Sequence, residues 1–173
     1  MESFSPESNI DINALTSGNE IDIQSTLHRI KESGDLAYLI QVINLINESK
    51  SDSIKKAGIE VARSIKSKEN KAIILPLILN DQYFNIKKTL IALCWETDMQ
   101  INEELPIFFN LLSDENYEIV IEAYTVILEN ISNITRAECD QFQIQLNDLC
   151  NSVEENRKPL IIDCINRLSV FEE

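Results

Sequence analysis

Isoleucines at 23, 54, 86 and 119 recur every 31 to 33 residues, and each opens a stretch whose next apolar or small positions fall four and seven residues later. A period of that length is one helix, a turn and a second helix. Such a unit cannot bury its apolar face alone, so neighbouring units must stack to make a core. With three Gly and four Pro in 173 residues there is little material for hairpins or long loops. The chain is therefore expected to be all-α, with about nine helices. Its many isoleucines are stiff at χ1 and weaken intrinsic helix propensity, so stability must come from packing between helices.

The spacing places a first helix from near Asn19 to Glu32, with Ile23, Leu27 and Ile30 on one face and Ser33-Gly34 as its stop. Asp35 reads as the cap of a second helix carrying Leu36, Leu39, Ile40, Ile43 and Ile46. A third follows Ser51-Asp52 with Ile54, Gly58, Val61 and Ile65. The next unit pairs Lys71–Leu79 with the stretch through Ile86, Leu90, Leu93 and Trp95, joined by Asn80-Asp81-Gln82. Another pairs Glu103–Leu112 with Ile119, Ala123, Val126 and Ile127, joined by Ser113 to Asn116. A longer helix from Thr135 to Glu154 breaks the period, with Thr135 and Glu138 spaced as a capping box. Together with Lys158–Phe171 it reads as a C-terminal cap from about residue 135. Residues 1–12 are polar and are expected to be disordered or frayed, leaving a single repeat domain over 13–173. Pro76 falls inside its helix and is expected to kink it, whereas Pro106 and Pro159 fall in first turns.

Leu75-Pro76-Leu77-Ile78-Leu79-Asn80-Asp81 and the run from Leu105-Pro106 to Ser113-Asp114 resemble the first helix and turn of HEAT repeats. The stretch that follows, with Ile86-Lys87-Lys88, resembles the second helix. The likeness covers roughly residues 19–135, with Thr89 and Glu122 standing where the family has small residues. What the resemblance implies is a right-handed α-α superhelix, a solenoid of helix pairs whose second helices line a concave surface. Such surfaces engage proteins most often and nucleic acid sometimes.

The net charge of −14 is unevenly spread. Residues 50–88 carry nine bases and four acids, whereas residues 89–135 carry nine acids and neither Lys nor Arg. Glu115, Glu118 and Glu122 are thus candidates for docking a basic partner, with steering that weakens as salt rises. The competing reading is a solvated face that keeps the protein soluble. Lys55-Lys56 and Lys87-Lys88, at matched repeat positions, are candidates for a short basic ladder facing an acidic peptide or phosphate.

Catalytic and metal chemistry finds no pattern. His28 is the single histidine, which excludes multi-histidine metal sites, and no nucleophile has a sequence-encoded proximity to it. Cys94, Cys139, Cys150 and Cys164 lack metal or disulfide spacing and read as reduced core thiols of a cytoplasmic protein. Glu103-Glu104 and Asp114-Glu115 fall where acids complement a helix dipole. Trp95 and Tyr124 could stack on a ligand, but packing is the simpler role. No glycine cluster could cradle phosphate, no signal segment is evident at the N-terminus, and the longest apolar run, Ala72–Leu79, is far too short to span a bilayer.

These readings converge on a non-catalytic protein-binding scaffold or adaptor, with no cofactor, metal, nucleic acid or membrane expected. Two alternatives remain open. One is an acidic inhibitor or immunity-type protein that blocks a basic partner; the other is a HEAT-like DNA glycosylase, against which the negative charge weighs.

Overall fold

A computed structural model describes residues 10–169; the expected frayed stretch falls mostly on residues 1–9, outside that range. Among the described residues there are nine α-helices, four short 3-10 helices and no strand. Contacts gather the chain into two compact units, one ending at Pro76 and one beginning at Leu77.

The first unit opens at Ile10, which is buried, and a 3-10 turn over Ile12–Thr16. Asn19 caps α1 (Glu20–Ser33) by accepting from the Ile21 N–H, and Gly34 ends it in the left-handed conformation at φ 62°. Asp35 caps as expected, but the first turn it opens, Leu36–Tyr38, is a 3-10 turn leading into α2 (Leu39–Glu48). Ser51 caps α3 (Asp52–Ser64), which packs on both α1 and α2. Leu27, Ile30, Leu39, Ile43, Ile46 and Ile54 are almost wholly buried in this core. Each contributes on the order of 1.5–3 kcal/mol through removal from water. Gly58 lets α3 approach α2: a Cβ there would lie 2.8 Å from Ile46 Cγ1. Ile65, expected inside the third helix, is instead its buried C-cap, and Asn70 Nδ2 donates to the Ile65 carbonyl at 2.6 Å. α4 (Asn70–Ile78) carries Pro76 inside it.

In the second unit a 3-10 turn, Asp81–Ile86, capped by Asn80, precedes α5 (Lys87–Glu96). Ile86 therefore stands just before its helix, although it is buried like Ile23, Ile54 and Ile119. α6 (Leu105–Leu111) is shorter than the expected Glu103–Leu112, because Pro106 in its first turn fixes the start. α7 (Tyr117–Asn130), α8 (Arg136–Ser152) and α9 (Lys158–Ser169) complete the unit. The expected continuation of α9 to Phe171 falls partly outside the described residues. The capping box forms: Glu138 N–H donates to Thr135 Oγ1, and Thr135 N–H donates to Glu138 Oε2. α7 packs on α5, α6 and α9, while α8 packs on α6 and α9. Phe109 of α6 meets Phe142 of α8 edge to face at 5.2 Å.

The repeat length in the sequence reappears as a set of ties within this unit. Ile101 N–H donates to Asn130 Oδ1, and Asn102 Nδ2 to the Asn133 carbonyl, 29 and 31 residues on. Asn130 is buried and also donates to the Val126 carbonyl, so both ends of its amide are used.

Candidate protein-binding face

The acids and bases singled out by position meet one another between α5 and the approach to α7. Lys87 Nζ donates to Asp114 Oδ2 at 3.1 Å, with both side chains about one-fifth exposed. Lys88 Nζ donates to Glu118 Oε1 at 2.9 Å, and Trp95 Nε1 donates to Glu122 Oε2 at 3.0 Å. The hydrogen bond that Lys88 donates to Glu118, above all, raises the Lys88 pKa. That pair is exposed, so its worth is about 0.2–1 kcal/mol.

Four of the seven candidate residues are therefore already committed. Lys87 and Lys88 face the carboxylates of the following repeat, while Glu118 and Glu122 are held by α5. Lys55 and Lys56 lie on α3 in the first unit and join no ion pair among the described residues. Glu115 is exposed in the α6–α7 turn, where its backbone carbonyl accepts from Arg157 Nη2 at 3.1 Å.

Tyr117, Ile121, Arg157, Asp163 and Arg167 also belong to this face, although charge segregation singles out none of them. α7 buries Ile119, Val120, Ala123, Val126 and Ile127, which completes one side of the helix. Yet Tyr117 and Ile121 remain 55% and 39% exposed on the other side, with Tyr124 and Leu128 half-buried in line with them. The spacing 117, 121, 124, 128 marks a second apolar strip that could have been found in the sequence. At its α9 edge Tyr124 Oη donates to Asp163 Oδ2 at 2.5 Å, and Arg167 Nε donates to the same oxygen at 2.6 Å. Both hydrogen bonds hold the Asp163 carboxyl below its ordinary pKa, the tyrosine's being the larger cause. Burial, followed by the Asp163 hydrogen bond, raises the Tyr124 pKa. The guanidinium of Arg157 stands 5.4 Å above the centre of the Tyr117 ring.

Elsewhere the chemistry is sparse. His28 is exposed on α1 beside Glu32, at 3.4 Å. All four cysteines are free thiols; Cys94, Cys139 and Cys164 are buried, and Cys150 is half-buried. A groove of about 570 Å³ lies in the first unit between the 3-10 turn, α1 and α2, where Glu48 is the one ionisable residue among its lining side chains. It offers no acid and base pair. No protein-family model, no curated protein and no solved structure matches this chain.

Proposed function

We propose that the protein is a non-catalytic binding scaffold or adaptor of the HEAT type, working in the cytoplasm and engaging a protein partner through its stacked helices. The observation that carries this reading is the second apolar strip of α7, of which Tyr117 and Ile121 stay exposed after the helix has buried a complete core face. Contiguous exposed apolar groups rimmed by polar residues are a mark of contact surfaces. The 27- to 31-residue ties within the second unit support a stacking of successive helix pairs.

Affinity recovery of the tagged full chain from its native cells, at low and moderate salt, tests the reading. A stoichiometric protein partner is the expected result. Recovery of nucleic acid that survives the salt step, with no protein, would overturn it.

An inhibitor of a basic protein is the second reading. It is favoured by one number: the second unit holds eighteen acids and six bases, a net of −12, against −2 for the first. A single basic enzyme recovered and inactivated by the pure protein would select this reading over a scaffold.

A further inference from the structure

We propose that the outward strip of α7, formed by Tyr117, Ile121, Tyr124 and Leu128, is the seat of a basic partner segment that is apolar on one face and carries Lys or Arg along its margin. This rests on the protein-binding reading and adds to it the place of docking and the chemistry of the partner.

The geometry of the strip comes first. A helix needs one apolar face to join a core, and α7 already spends Ile119, Val120, Ala123, Val126 and Ile127 on that. Tyr117, Ile121, Tyr124 and Leu128 share a narrow arc on the opposite side and extend for about 16 Å, or three turns. The strip is also held in shape. Tyr124 is fixed by its bond to Asp163, and Tyr117 lies beneath the Arg157 guanidinium. A preorganised surface loses less entropy when something docks on it.

Charge then selects the occupant. Glu118 and Glu122, which bond to α5, share one flank of α7 with Glu129, and Asp163, held by Tyr124 and Arg167, borders the other edge. Glu118 keeps a side chain that is 67% exposed, and its bond to Lys88 is one that an incoming cation can exchange with in water. A unit with a net charge of −12 repels a second copy of itself, a nucleic acid and an anionic bilayer alike. The molecule already displays the attraction at one end of the strip, where its own Arg157 covers Tyr117. A partner segment with an apolar face over Ile121 and cations over the flanking carboxylates satisfies both demands at once.

The test is a calorimetric titration of the full chain with a synthetic helical peptide of Leu and Lys, about four turns long with one Leu face. Emission from Trp95, the single tryptophan, serves as a second readout beside Glu122. Expected is saturable one-to-one binding that weakens several-fold between low and moderate salt. The variant Ile121→Ser, alone and with Tyr117→Ser, should weaken it about tenfold or more while circular dichroism stays unchanged. Absence of binding overturns the proposal. So does equal binding of a Leu and Glu peptide, equal binding of a Lys and Ser peptide without an apolar face, or indifference to both substitutions. Should the natural partner be recovered undiminished with Ile121→Ser, the scaffold reading would stand and the α7 seat alone would fall.

Discussion

Trp95 and Glu122, 27 residues apart, are joined by an indole N–H that donates to the carboxylate at 3.0 Å across α5 and α7. Glu122 thus has a structural duty before any partner arrives, and so does Glu118 through Lys88. Reversing both to Lys would therefore disturb the face itself as well as its charge. The informative pair is Glu122→Gln against Glu122→Ala. Gln keeps an acceptor for the indole and should leave stability within about 0.5 kcal/mol of the parent. Ala strands a half-buried donor at a cost of about 1 kcal/mol, a fall of roughly 2–4 °C in Tm. Thermal melts of the two variants would refute the bond's role if Gln proved as costly as Ala.

Gly58 gives a prediction against helix propensity. In an exposed helix Gly→Ala gains about 1 kcal/mol, but here the new Cβ would lie 2.8 Å from Ile46 Cγ1, inside the packed contact of α2 and α3. Gly58→Ala should instead lose about 1–3 kcal/mol. In urea melts, adding Ile46→Ala should cost less than its own single effect added to that of Gly58→Ala, because the colliding atom is gone. Strict additivity of the two would count against the close approach.

How much of this was legible follows from where the signal sits. The cap residues Asn19, Asp35, Ser51 and Thr135 act through short-range hydrogen bonds, so their sequence neighbourhood suffices to identify them. The end of α5 was harder, since no glycine announces it. Asp98 takes the left-handed position at φ 57°, with Met99 N–H reaching back to the Cys94 carbonyl. The Lys87–Asp114, Lys88–Glu118 and Trp95–Glu122 pairs depend on which faces two helices turn toward each other, and periodicity does not give that rotation. Charge segregation along the sequence looked like separate basic and acidic surfaces, but in space Lys87 and Lys88 meet the acidic repeat.

Asn130 should respond to a single atom exchange in a pH-dependent way. Its Oδ1 accepts from the Ile101 N–H at 3.2 Å and its Nδ2 donates to the Val126 carbonyl at 3.0 Å, all in a buried site. A protonated Asp can reproduce both bonds, whereas an ionised one loses the donor and buries a charge. Burial raises the pKa of such a carboxyl, so its contribution is retained below the ordinary value and is lost as pH rises from there through the raised one. Asn130→Asp should therefore lie near the parent at about pH 4 and fall by more than about 2 kcal/mol at neutral pH. A constant deficit across this window, measured by urea unfolding, would rule the account out.

Asp163 titrates in the opposite sense. Tyr124, and after it Arg167, lower its pKa, so the stabilisation it gives is present above its ordinary value and is lost as pH falls through the depressed one. Tyr124→Phe removes the larger cause and should move the Asp163 titration upward, which a carboxyl carbon NMR titration would read directly. An unmoved midpoint would mean that Arg167 alone sets it.

The thiols offer a check on the core that is independent of the binding face. Burial pushes the Cys94 and Cys164 thiols up to about 12, Asp163 adding to the effect at Cys164. At about pH 8 each would then be thiolate in roughly one molecule in ten thousand, and the thiolate is the species that reacts. Cys139 is buried as well, with its Sγ donating to the Leu168 carbonyl at 3.3 Å, while Cys150 is half-buried near the end of α8. A native-state titration with an aromatic disulfide reagent should register one thiol, removed by Cys150→Ser, and all four should appear in denaturant. Fast reaction of three or four thiols in the native protein would mean that the helices of the second unit open far more readily than this packing allows.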